Sequence, residues 1–207
     1  MIEGDKEELK NTFSPYMYFY EDEVVQEKFR PTKIEDMLDN SSLYKLYPYG
    51  IRKLLLDSPS AEDIKNYKNW AGIIYYLDLL SDGTGNYVDT MPLLETEKNK
   101  LYARVTCDEY GGKIYVVVQY WFFYLYNDFT WDNHEGDWEM IEVLIDFDDY
   151  EQHGISVIPV GAAYSRQIVE SIENGTIFSK KVTIQKSMWQ EVHMQLTLRK
   201  EFIVFLI

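Results

Sequence analysis

The run Ile114–Tyr126, IYVVVQYWFFYLY, constrains the fold more than any other part of the chain. Read with a two-residue period, one side carries Ile114, Val116, Val118, Tyr120, Phe122, Tyr124 and Tyr126. The other carries Tyr115, Val117, Gln119, Trp121, Phe123 and Leu125. Both sides are apolar, which is the pattern of a central strand covered on both faces. A buried helix is the competing assignment, but β-branched and aromatic residues at this density favour a strand. Such a strand needs material above and below it, and 207 residues are enough to supply it within one domain. No linker rich in Pro, Gly or Ser divides residues 1–207, so a single domain is expected.

Shorter strands are expected around this one. Gly72–Leu80 is β-branched and aromatic, Leu101–Thr106 alternates, and Asp137–Phe147, Gly154–Val160 and Lys181–Gln185 have strand character. Gly111-Gly112 marks a turn into the central strand. The N-terminal third reads as partly helical. Asp5–Asn11 is a short polar helix candidate. Thr32-Lys-Ile-Glu35 has capping-box spacing after Pro31, with Ile34, Met37 and Leu38 as the apolar face. Ser60-Ala-Glu-Asp63 repeats that start signal, and Ile64, Tyr67 and Lys68 follow with helical period. Leu43–Leu56 mixes Tyr, Pro and Leu and fits neither period. Helices ahead and strands behind predict a mainly β fold, a β-sandwich with peripheral α-helices.

Charge and cysteine content remove several function classes. There are 35 acidic and 20 basic residues, a net charge of −15. That surface repels a phosphate backbone, so nucleic acid is not an expected partner, and an anionic membrane would need a bridging cation. Hydrophobic residues make up 46 % of the chain, which argues against disorder. The single cysteine, Cys107, forms no internal disulfide, and no set of thiols is present for zinc. Met1–Lys10 is polar and acidic, unlike a secretory leader, and no apolar run is long enough for a transmembrane helix. A cytoplasmic location is the expectation.

One short segment carries chemistry. Asn127–Gly136 is a polar loop, and His134-Glu-Gly-Asp137-Trp138-Glu139 leads into the next strand. Alternation places Asp137 and Glu139 on one side, continued by Ile141, Val143, Ile145 and Phe147, an apolar row that should face a core. Two carboxylates roughly 7 Å apart at the mouth of such a row repel each other and lose hydration. A proton, a basic side chain or a bound cation can compensate. No Arg or Lys lies between Lys113 and Arg166. His134 precedes the strand, and Gly136 lets the chain bend so that the imidazole approaches the carboxylates. Asp128 would add a fourth ligand where the two strands are neighbours. Oxygen donors with one imidazole suit Mg²⁺, Ca²⁺ or Mn²⁺, whereas Zn²⁺ more often recruits a second His or a Cys. Trp138 has the opposite parity and is expected to anchor the strand from the other side.

Other readings compete. Asp-Trp-Glu after a turn can be a solvated strand entry in an acidic chain. A carboxylate pair can serve acid–base hydrolysis of a glycan, with aromatic residues for sugar stacking. His153 and His193 lie in polar stretches and are expected at the surface. Asp108 and Glu109 beside Cys107 disfavour a thiolate nucleophile. Ser165, in Gly161-Ala-Ala-Tyr-Ser165, is not in a nucleophile elbow, and Gly83-Thr-Gly85 has no helix after it to make a phosphate loop.

Gln119-Tyr-Trp-Phe-Phe-Tyr-Leu-Tyr-Asn127 followed by His134-Glu-Gly-Asp137-Trp138-Glu139 resembles the vacuolar protein sorting-associated protein 62 family, with its Y-W-F-F-Y-x-Y-N strand and H-x-G-D-W-E turn. Ser14-Pro15 through Glu23 and Phe29-Arg30-Pro31 resemble that family's opening pattern, so the likeness runs from about Phe13 to Ile145. More distantly, Asn133–Glu139 is similar to the G-H-R-H-D-W-E heptapeptide of the necrosis-inducing Nep1-like toxins. That resemblance implies a β-sandwich holding a divalent cation through His134, Asp137 and Glu139, with Asp128 or Asn127 as the upstream ligand. Gly136 stands where the toxins have a second His, so that residue's role is lost. The toxins are secreted and disulfide-bonded, so cytolysis is not implied. The family's H-P-x-x-Y-x-A-x-G-S-H-A segment has no counterpart here, and His193–Ile207 reads as an unrelated apolar tail. A truncated or frame-shifted C-terminus after about residue 190 is expected. The expected function is a cation-binding interaction module, its cation fixing a loop or bridging to an anionic lipid or glycan. The alternatives are a metal-dependent hydrolase acting on a glycan or phosphoester, and a structural module without metal.

Overall fold

The long apolar run is a strand, and its neighbours build an antiparallel sheet around it. A computed structural model describes residues 3–17, 29–69, 73–79, 92–127 and 134–164, and the backbone of short strands at 185–186, 190–191, 194–198 and 202–206. The fold is mainly β, with short helices set between strands. The chain forms two compact units, each assembled from separate stretches: Met1–Glu27, Leu101–Phe122 and Trp138–Ile207 in the first, Lys28–Lys100 and Phe123–Asp137 in the second.

In the first unit, β5 (Tyr102–Tyr110) and β6 (Lys113–Asn127, which continues into the second unit) form a hairpin in which Tyr110 pairs with Lys113. Its two-residue turn is Gly111-Gly112, with φ of +60° and +77°. Two successive positive φ values are what a type I′ hairpin requires and what side chains resist. The sheet order is β5-β6-β7-β8, with β7 at His134–Asp146 and β8 at Gly161–Tyr164. Val116, Val118, Tyr120 and Phe122 are fully buried, as are Val143 and Ile145. Helix α1 (Glu3–Thr12), the predicted polar helix, buries Leu9, and the Tyr120 hydroxyl donates to the Lys10 carbonyl at 2.8 Å. Burial holds that phenol well above its ordinary range. Strand β1 (Tyr16–Met17) pairs with β9 (Met194–Leu198), which pairs with β10 (Phe202–Leu206). Part of the tail after His193 is therefore strand.

In the second unit, β2 (Ser41–Leu46) lies between β3 (Arg52–Asp57) and β4 (Ile74–Leu79), antiparallel to both. The unassigned stretch Leu43–Leu56 is thus a hairpin with a 3₁₀ turn at Pro48–Gly50. Helix α2 (Ile34–Asp39) buries Asp36, Met37 and Leu38, and α3 (Ala61–Ile64) starts at a complete Ser60–Asp63 capping box.

Four sequence readings are corrected. Thr32 caps no helix: α2 begins after Lys33, the Thr32 amide donates to the Phe123 carbonyl at 2.8 Å, and its hydroxyl donates to Asp36. Its amide serves a distant carbonyl and its hydroxyl the Asp36 side chain within α2, so neither serves the helix start. Helical period past Ile64 does not extend α3, which is one turn long. Gly154–Val160 is not a strand. Helix α4 (Phe147–His153) ends at Gly154, φ +58°, a 3₁₀ turn follows, and Pro159 has no N–H for a ladder, so pairing resumes only at Gly161. Strands also begin at Ser41, so helices and strands interleave rather than follow one another.

Candidate metal site

The motif lies at the start of β7, beside the last residue of β6. Asn127 and Asp137 are each only 7 % exposed. Asn127 Nδ2 donates to Asp137 Oδ2 at 3.1 Å, and His134 Nε2 lies 3.6 Å from Asp137 Oδ1. The two oxygens of one buried carboxylate therefore face an amide and an imidazole. Among the described residues no Lys or Arg pairs with Asp137. Asn127 Oδ1 is buried with no hydrogen-bond partner among the described residues. A buried carboxamide oxygen without a donor costs on the order of 1–3 kcal/mol unless something electropositive reaches it.

Local backbone makes the approach feasible. Gly136 has φ +69°, and a Cβ there would meet the Phe123 ring at 3.7 Å and Met37 Cε at 3.8 Å. That is ordinary contact, so the left-handed backbone rather than space calls for glycine. Strand parity places the neighbours as read. Asp137, Ile141, Val143 and Ile145 are buried, Glu139 is half-buried, and Trp138 lies on the opposite face. Trp138 is exposed and packs against Tyr102 at 5.6 Å and Trp121 at 6.3 Å between ring centroids. Phe147 leaves the row, because Asp146 caps α4 and the strand ends there.

The structure brings together His134, Asp137 and Asn127. Asp128 lies outside the described residues, as do Ser165, Gly83-Thr-Gly85 and His193. Among the described residues no three His, Cys, Asp or Glu side chains form a group able to hold a metal. The donors that do converge are an imidazole, a carboxylate and a carboxamide, a set suited to a hard or borderline cation. His153 is exposed on α4, its Nδ1 3.0 Å from the Asp149 carbonyl, and Cys107 is a free, exposed thiol.

Sequence reasoning passed over two features. Glu135 Oε2 accepts the Leu79 backbone N–H at 2.8 Å, so one acid of the motif ties β7 to the end of β4. A second buried polar cluster joins residues 30–36 to 95–98. Asp36 accepts from Thr32, from the Thr96 amide at 2.9 Å and from the Thr96 hydroxyl at 2.6 Å. Burial pushes Asp36 up, but these donors outweigh it and hold the group below its ordinary value. Glu95 Oε1 accepts the Arg30 amide at 3.0 Å, while Oε2 is buried without a hydrogen bond and Lys98 stands 3.9 Å away. Burial pushes Glu95 up to about 7. Nothing in the sequence around Glu95 separates it from the chain's other acids.

No family model, no curated protein and no solved structure matches the chain.

Proposed function

We propose that this chain is a β-sandwich module similar to the vacuolar protein sorting-associated protein 62 family that binds one divalent cation, Mg²⁺, Ca²⁺ or Mn²⁺. His134, Asp137 and the Asn127 carboxamide are the nearest donors, and Glu139 and Asp128 join them on the strength of the motif. The observation that carries this reading is the buried Asn127 Oδ1, without a hydrogen-bond partner among the described residues, beside a buried carboxylate that meets an imidazole but no Lys or Arg among those residues. A cation supplies the missing positive charge to both. It ties Asn127 to Asp137 and bridges to an anionic lipid or glycan.

Metal is expected to raise the melting temperature, because it binds the folded state alone. For a chain of this length the rise is about 2–4 °C for each kcal/mol of stabilisation. The triple variant His134→Ala, Asp137→Ala, Glu139→Ala should lose the effect, and elemental analysis of dialysed wild-type protein identifies the ion. A shift that survives in the triple variant places the cation elsewhere.

A second reading has its own support. Glu135 bonds the Leu79 amide, the behaviour of a motif that organises backbone and needs no metal. Calorimetric titration with no heat and no change in melting temperature would favour it.

A further inference from the structure

The β2–β3 hairpin is unlike the rest of this acidic chain. From Ser41 to Leu56 there is no Asp or Glu, while Lys45, Arg52 and Lys53 supply three positive charges. Its tip, Tyr47-Pro48-Tyr49-Gly50-Ile51, is closed by the Tyr47 amide donating to the Ile51 carbonyl at 2.8 Å. The Tyr49 side chain is fully exposed and Ile51 is 63 % exposed, with Leu54 and Ile74 exposed on the adjoining strands. Tyr49 also has φ +68°, a conformation an aromatic residue adopts at a cost. Nothing in the fold buries the ring that this backbone projects. Strain at an exposed aromatic position points to a role outside the molecule's own packing.

We propose that this hairpin docks onto a bilayer containing anionic phospholipid, with Tyr49 and Ile51 entering the interface and Lys45 and Lys53 meeting the headgroup phosphates. Tyrosine suits that depth, since its ring is apolar and its hydroxyl wet. Lysine and arginine stems reach along apolar surface while their charges stay in water. Lys45 lies over the Tyr47 ring at 4.6 Å and the Tyr75 ring at 5.8 Å, which holds its charge beside the tip. Arg52 lies 5.0 Å over Tyr44 and pairs with Asp78 at 3.0 Å.

The net charge of −15 opposes approach to an anionic surface, but distance decides which charges count. At physiological salt, interactions between exposed charges fade beyond about 8 Å. Asp78 is aligned with Ser42, but its carboxylate pairs with Arg52 at 3.0 Å and offsets that charge, which leaves Lys45 and Lys53 to attract the headgroups. Asp57 is aligned with Ser42 as well, and accepts its hydroxyl at 2.6 Å. The local basic tip therefore governs contact. No helix among the described residues is long and apolar enough to cross a membrane, so the proposal is surface docking alone.

The test is vesicle sedimentation of the full chain with EDTA present, so that no cation can bridge. Vesicles are phosphatidylcholine alone or with about 30 % phosphatidylserine. The bound fraction should be at least about five-fold higher on the anionic vesicles and should fall back at about 0.5 M salt. Tyr49→Ser with Ile51→Ser, and separately Lys53→Glu, should each remove most of the binding while leaving the melting temperature unchanged. The difference emission of Tyr49→Trp minus wild type should shift to the blue on anionic vesicles. Three results would overturn the proposal: no sedimentation of wild type, undiminished binding by the Tyr49/Ile51 variant, or a wild-type dimer that this variant dissolves and that binds no vesicles.

Discussion

Asp36 and Glu95 show how two neighbouring buried carboxylates respond oppositely to the same loss of water. Asp36 keeps its charge because Thr32 and Thr96 supply donors. Glu95 has one amide donor, from Arg30, and an oxygen with none, so burial wins and the group sits at about 7 instead of 4.5. A carboxyl that prefers its proton in the fold contributes stability fully below about pH 4.5, and that contribution is lost as pH rises through 7. Glu95→Gln should therefore be near neutral at pH 5 and stabilising by on the order of 1–2 kcal/mol at pH 8. Urea titrations of both proteins at the two pH values measure it; a variant that loses equally at both would show that Oε2 is satisfied as a charge. Asp137 was legible as a core-facing carboxylate because strand parity is a local property. The partner that meets it, Asn127, entered only through the resemblance, as the alternative to Asp128 for the upstream ligand, since its amide contact depends on how two strand ends come side by side.

At the scale of elements, β6 changes character along its length. Ile114 is exposed, Val118 is fully buried with half-buried Gln119 beside it, and from Phe122 to Leu125 both faces are buried. Truncation costs should climb accordingly: under about 0.5 kcal/mol for Ile114→Ala, about 1–3 for Val118→Ala and about 3–5 for Phe122→Ala. Chemical denaturation of the three variants checks the order, and equal costs would mean the strand is uniformly covered. The period-two pattern made this strand readable from sequence. The β2–β3 hairpin was not readable, because a register shift between Leu43 and Tyr44 breaks the alternation and Tyr49 takes a turn conformation more typical of glycine. Thr32 misled for a related reason. A capping box is a local signal, and the Phe123 carbonyl and Asp36 claimed its groups first.

For the whole molecule, an excess of fifteen negative charges is the dominant long-range term. Self-repulsion at that charge destabilises the compact state at low ionic strength. Raising sodium chloride from about 10 mM to about 200 mM shrinks the screening length from roughly 30 Å to below 10 Å. The melting temperature should rise by a few degrees in EDTA, where no divalent ion contributes. A fall would mean that surface ion pairs such as Lys33–Glu97 and Arg52–Asp78 outweigh the repulsion.

The sequence by itself determined the β character of this protein, the central strand, the Gly111-Gly112 hairpin, the Ser60 cap and the side of β7 on which Asp137 lies. Each follows from spacing over a few residues, and short-range geometry acts there without help. Tertiary structure decided what those residues meet: Asn127 against Asp137, Glu135 on the Leu79 amide, Thr32 on Phe123, and Glu95 sealed beneath Arg30. These contacts join residues 10 to 91 positions apart, and no local period encodes which buried polar group finds a partner and which is left without one.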